Sequence, residues 1–186
     1  MNGRPKKIRI RLVLVCIVVI ILAMIPVIKM NQQYPEVKKV MIEKGRKNKL
    51  KKGVCLTVQE TKWMNRTELE KQYTNTIEMI ENRDYKAVFV KVILENETDK
   101  EQKYPIYNLY LESDIHYYNG VDMDLYTAIE ENPTAEIILK PKQKQTVILP
   151  YSISDVYFEK GEWNTLERNI FYLVAKRYPN KNCWEI

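Results

Sequence analysis

The sequence predicts a mainly β protein, an antiparallel β-sandwich with one inserted helix, preceded by a single N-terminal transmembrane helix. Three observations carry this. An uncharged apolar run occupies residues 12–28. Period-two alternation of β-branched and aromatic residues dominates beyond residue 53. Turn signals then cut that second region into seven or eight short segments. Net charge divides near the same boundary. The chain of 186 residues carries +6, yet residues 1–52 hold 14 basic and 2 acidic side chains, a net of +12, while residues 53–186 hold 16 and 22, a net of −6. The basicity therefore belongs to the leading segment, and the acidic domain behind it repels nucleic acid. Its 134 residues are enough to bury a core without metal or disulfide staples. With 5 Gly and one His, phosphate-cradling loops and His-based metal sites are disfavoured, and no cofactor is expected.

Taken in order, residues 1–11 form a basic tail read as cytoplasmic, with Arg4, Lys6, Lys7, Arg9 and Arg11. Residues 12–28, LVLVCIVVIILAMIPVI, are read as the anchor. At about 1.5 Å per residue they span roughly 25 Å, and Ile8 and Ile10 extend this toward a full bilayer core. Thirteen of the 17 are Leu, Ile or Val, an insertion term on the order of −4 to −8 kcal/mol. A cleaved signal peptide is the rival, but no A-x-A pattern follows the apolar run, so an uncleaved anchor is expected. Five basic residues precede the span closely and six follow within 20 positions; the nearest charges favour the N-terminus inside. Residues 29–52 read as a basic juxtamembrane stem with nine basic residues against Glu36 and Glu43. It is either a solvated linker or a contact for anionic lipid or wall polymer.

The extracytoplasmic domain is placed at residues 53–186. Val54, Leu56 and Val58 alternate with polar neighbours. Residues 85–96, YKAVFVKVILEN, put Val88, Val90, Val92 and Leu94 on one face and Ala87, Phe89 and Ile93 on the other, as a central strand does. Further strands are expected at 106–112, 115–118, 135–140, 145–152, 154–158 and 170–178. Asn119-Gly120, Asn132-Pro133, Lys140-Pro141 and Lys160-Gly161 are read as turns between them. A capping box of Thr67 and Glu70, followed by Leu69, Tyr73, Ile77 and Ile80 at helical intervals, predicts the inserted helix up to Asn82. Asn65-Arg66-Thr67 and Asn96-Glu97-Thr98 read as turn and cap residues.

The strand VFVKVILENET at 88–98, the later LKPKQKQTVILPYSI at 139–153 and FYLVAKRYP at 171–179 together resemble a family of uncharacterised membrane-anchored immunoglobulin-like domains from Gram-positive bacteria. In that family a strand ends in Asn before a short turn, and a later L-x-P turn leads into a V-x-L-P strand. The resemblance implies an immunoglobulin-like sandwich at the cell envelope. Its members are domains of unknown function, so it supplies no catalytic residue.

Candidate chemistry is sparse. His116 alone builds no zinc site, and Asp114, Asp122 and Asp124 lack a calcium-loop pattern. His116 and Cys183 have the order of a sortase pair, but Cys183 sits in PNKNCWEI with no following Arg. Cys55 and Cys183, near the two ends of the domain, are a candidate disulfide; two buried free thiols are the alternative. Tyr117, Tyr118 and Tyr126 are a candidate binding surface, since loops at one end of a sandwich commonly carry recognition. The expected function is non-enzymatic binding at the envelope, with contact to the lipid bilayer and a protein partner. A regulatory or structural subunit of another membrane protein, acting through residues 8–28, is the alternative.

Overall fold

The computed structural model describes residues 6–34, 37–73, 83–176 and 178–186, and the chain divides into two compact units, residues 1–38 and 39–186. In the first, helix α1 (Lys6–Gln33) carries the apolar run 12–28 between basic and polar ends and continues through Pro26. Within it, Val13–Gln33 has a mean hydropathy of 3.0 and no buried residue. Its described apolar side chains, from Val13 to Met30, are exposed on every side of the helix.

The second unit begins earlier than the composition suggested. Strand β1 (Lys38–Ile42) joins a five-stranded sheet with β11 (Asn180–Glu185), β10 (Phe171–Lys176), β6 (Tyr110–Ser113) and β7 (Tyr118–Gly120), in that order. Strand β2 (Asn48–Lys49) opens the facing four-stranded sheet, followed by β3 (Val54–Asn65), β4 (Tyr85–Asn96) and β9 (Lys144–Ser154). The segment read as a stem up to residue 52 is therefore built into the sandwich from Lys38 onward. Its cations were misleading because three of them serve the domain: Lys39 lies 3.4 Å from the Tyr172 ring centroid, Lys44 donates to Thr61 Oγ1, and Lys47 pairs with Glu95 and Glu97 at 2.9 and 2.8 Å. A short pair, β5 (Gln102–Pro105) with β8 (Glu136–Leu139), completes the strands.

Strand β4 is central, as its two apolar faces predicted: it pairs antiparallel with β3 on one side and with β9 over 11 residues on the other. Val88, Val90, Val92 and Leu94 enter the main core beside Leu111, Phe171, Leu173 and Trp184 of the facing sheet. Ala87 and Phe89 enter a second cluster on the outer face, with Met64, Leu69, Leu125 and Ile129. That face is covered by α2 (Arg66–Tyr73), which stacks Tyr73 on Phe89 at 5.7 Å, and by α3 (Met123–Ala128). A β-bulge between Val58 and Glu60 makes this division work. Val54, Leu56 and Val58 face the main core, and the extra residue then shifts the parity of β3, so that Trp63 meets Phe171 at 5.1 Å while Met64 turns outward.

Several boundaries differ from expectation. The cap of α2 is Asn65 with Glu68: Glu68 N donates to Asn65 Oδ1 and Asn65 N to Glu68 Oε2, two residues before the expected Thr67 box. Ile77 and Ile80, predicted to continue this helix, lie outside the described residues. The stretch 106–112 is divided, because Ile106–Asn108 is a 3-10 turn before β6. Residues 155–157 are also a 3-10 turn rather than strand, since Ser154 Oγ accepts from Val156 N and caps it. Asn119-Gly120 lies within β7, and β11 and the short helix α4 (Lys160–Asn164) were not foreseen.

Strand β9 ends the four-stranded sheet, and its open edge is closed by side chains. Asn132 donates through Nδ2 to Ile148 O at 2.8 Å and accepts from Ile148 N at 2.8 Å, as a neighbouring strand would. Asp122 N donates to Pro150 O, and Asn119 Nδ2 to Ser152 O. Pro150 has no N–H to satisfy, which suits an edge. Replacing Asn132 by Ala leaves both Ile148 groups without their partner. Chemical unfolding is expected to show a loss of about 1–3 kcal/mol, and light scattering a greater tendency to associate through β9.

Candidate functional site

The β6–β7 turn brings aromatic residues to one end of the sandwich. Ser113 closes it: Ser113 N donates to Tyr117 O at 2.9 Å, and Tyr117 N donates to Ser113 Oγ at 3.0 Å. His116 takes the left-handed conformation, φ +64, which the tight reversal demands. The turn sets Tyr117 and Tyr118 on opposite sides of the chain. Tyr117 points inward, its hydroxyl donating to Ser152 O at 3.2 Å. Burial pushes that hydroxyl up to about 12. Tyr118 points outward, 48% exposed, and packs on Tyr110 with ring centroids 5.4 Å apart.

Tyr117 is the middle of a row of rings. It lies 5.9 Å from Tyr157 and 5.3 Å from Phe158, and Phe158 lies 6.0 Å from Trp163. The inner end is held firmly. Trp163 Nε1 donates to Asp84 Oδ2 at 2.8 Å, and Lys86 Nζ lies 5.1 Å from the Trp163 ring while pairing with Glu167 at 3.2 Å. The outer end is free, with Tyr157 69% exposed. Helix α4 is fixed beside this row by a capping box in which Glu162 Oε2 accepts from Glu159 N at 3.0 Å. Between the turn and α4 opens a cleft of about 410 Å³, lined by His116, Tyr117, Tyr118, Tyr157, Phe158 and Glu162, with Ile115 and Asn119. Its size is that of a small-molecule or side-chain site.

Two of the three predicted tyrosines line this cleft and the third does not. Tyr126 is 1% exposed in the main core, because Asp122 caps α3 by accepting from Leu125 N at 3.0 Å and turns the next residue inward. Its buried hydroxyl is pushed up to about 12 by desolvation. Asp122, weighed as a calcium ligand, spends an oxygen on that cap. The cleft residues that sequence reasoning missed, Tyr157, Phe158 and Glu162, come from 154–162. A strand was expected at 154–158, before the Lys160-Gly161 turn; the Ser154 cap before Asp155 was the signal for a turn there too.

The cysteines do not meet. Cys55 lies in β3 and Cys183 in β11, in different sheets, and both are free and buried, so the candidate disulfide is not formed. Each is next to a core residue in its strand, Leu56 and Trp184, and so points to the outer side of its own sheet. Burial pushes the Cys55 thiol up to about 11, with the Glu97 carboxylate adding to the rise. The Cys183 thiol, also raised by burial, sits against Met41 Sδ at 3.5 Å, from the neighbouring strand β1. Cys183 pairs with Val174, whose other neighbour is Tyr110, whereas His116 lies beyond Ser113 in the turn. The sortase-like pair is thus split between a covered strand and an exposed turn.

A family model described as a domain of unknown function matches residues 31–182. No curated protein matches the chain. Among solved structures, the yjhA protein from Bacillus subtilis is similar at 14% identity, with a TM-score of 0.44 over 71% of this chain and 78% of that one. An uncharacterized beta-sandwich protein from Clostridium difficile is similar at 12% identity, with a TM-score of 0.45 over 81% and 96%. A conserved hypothetical protein from Bacillus anthracis is similar at 11% identity, with a TM-score of 0.46 over 72% and 90%.

The raised thiols and their cover set a labelling pattern. At pH 8 in the folded protein, Cys55 and Cys183 are expected to resist a maleimide, the thiolate being the reactive form. Both should label fully on unfolding without reductant. Mass spectrometry checks this, and a modified Cys183 in the folded protein would contradict its burial beside Met41.

Proposed function

The chain belongs to the DUF5028 family of domains of unknown function, and from that premise we propose that it is a single-pass membrane protein whose β-sandwich is a non-enzymatic binding module outside the cytoplasm, at a Gram-positive cell envelope. The carrying observation is the helix Val13–Gln33, long and apolar enough to cross a membrane and unburied along its length. At about 1.5 Å per residue its 21 residues span roughly 32 Å, close to a bilayer core. The five basic residues before it favour an internal N-terminus, and a folded domain follows across the membrane largely regardless of its own charge.

Binding is assigned to the aromatic cleft, where rings are presented on a rigid row that the core holds from behind. Basic residues at 38–52 whose side chains make no hydrogen bond or ion pair among the described residues, Lys38, Arg46, Lys51 and Lys52, supply a second contact for anionic lipid or wall polymer. A regulatory or structural subunit of another membrane protein is the second reading. It is favoured by the apolar surface on every side of α1, which offers a partner helix a packing face in any direction.

A reporter fused to the C-terminus decides the topology. In intact cells external protease is expected to digest the reporter; protection until the membrane is broken would overturn this reading. Exchanging residues 8–28 for an unrelated anchor separates the two functions. The binding module keeps its activity, whereas a subunit acting through its helix loses it.

A further inference from the structure

The cleft's chemistry narrows its ligand, an inference that rests on the binding-module reading above. Its aromatic lining presents Tyr157 to solvent beside Tyr117 and Phe158. A ring face is electron-rich and attracts cations, most usefully where neighbouring groups exclude water. Among the described residues this contact occurs within the molecule itself, at Lys39 over Tyr172 and Lys86 over Trp163.

The charge around the rings has the matching sign. The two segments that build the cleft, 114–118 and 155–162, carry Asp114, Asp155, Glu159 and Glu162 against Lys160 and His116. None of these four carboxylates is in an ion pair among the described residues. Glu162 lines the cleft with one oxygen accepting the α4 cap N–H, and no cation pairs with it among the described residues. The negative charge continues beyond the lining residues to Asp114, Asp155 and Glu159, so a ligand that uses all of it carries several positive charges along its length.

We propose that the cleft binds the alkylammonium or guanidinium head of a Lys or Arg side chain, presented by an extended basic segment of a protein partner. The head lies against Tyr157 and Tyr117 and is balanced by Glu162. Flanking basic residues of the segment meet the outer carboxylates. A single uncharged ring or chain of similar size satisfies the aromatic wall but leaves four carboxylates without a counter-charge.

The test uses the full chain in a neutral detergent, with a fluorescent hexalysine peptide and the same peptide acetylated on every side-chain amine, followed by anisotropy. Hexalysine is expected to bind and acetylation to weaken it at least about 10-fold. Tyr157→Ala should weaken hexalysine roughly 2- to 30-fold, the range of a cation–π contact. Glu162→Gln should weaken it roughly 2- to 5-fold, a surface charge contact; Gln at this position still accepts the Glu159 N–H, so the cap survives. Equal binding of the acetylated peptide, or hexalysine binding unmoved by both substitutions, overturns the proposal. Hexalysine failing while a neutral oligosaccharide binds in a Tyr157-dependent way overturns the cation and leaves the binding module standing. If no probe binds and crosslinking in intact cells yields no envelope partner, both are overturned.

Discussion

The carboxamide of Asn96 holds together the end of the sandwich that every long strand reaches. It is fully buried at the last position of β4. Its Nδ2 donates to Lys100 O at 2.7 Å, Leu139 O at 3.1 Å and Lys140 O at 3.0 Å, while its Oδ1 accepts from Thr98 N and Thr98 Oγ1. An amide has two N–H donors and one doubly accepting oxygen, so every site it has is used. One side chain thus ties the turn after β4 to the turn between β8 and β9. The neighbouring backbone depends on the same knot. Asn96 N donates to Gln143 O and Glu97 N to Gly53 O. Gly53 needs φ +78 there, and a Cβ at that position would collide with Thr98 Cγ2.

From this knot β3, β4 and β9 run together to the opposite end, where the aromatic cleft opens. The bulge in β3 then divides apolar side chains between two layers. With Trp63 inward and Met64 outward, the sheet has a core on each face and is stiff at the level of Tyr85 and Ser154, which are paired. The 3-10 turn at 155–157 springs from that level, and Asp84, one residue before β4, holds Trp163. The exposed Tyr157 therefore sits on a loop whose supports are strand ends and a buried tryptophan, a rigid scaffold carrying a small exposed surface.

Much of this was legible in the residues. The alternation over 85–96 set the limits of β4 and its central place, because two apolar faces on one strand need cover on both sides. The motif of Asn before a turn and a later Leu-Lys-Pro has its physical cause in Asn96 bonding the carbonyls of Leu139 and Lys140. Less legible were contacts that pair distant segments. Lys39, Lys44 and Lys47 look like solvent cations until Tyr172, Thr61 and Glu97 are brought beside them. Tyr126 looks like an exposed loop residue until the Asp122 cap turns it inward. Strand β11 is short and charged, with Lys181 and Glu185 flanking Cys183 and Trp184, and only its pairing with β10 makes it a strand.

The most direct measurement is guanidinium unfolding of the protein with Asn96→Asp. That substitution keeps the shape and the oxygen that accepts from Thr98, and at neutral pH removes all three donated bonds. The account predicts a loss of at least about 2 kcal/mol, the cost of stranding buried carbonyls, with amide exchange rising at residue 96 and Gln143, whose N–H groups bond Gln143 O and Lys140 O, ahead of the rest of the sheet. An unchanged midpoint, with those amides as protected as before, would contradict it.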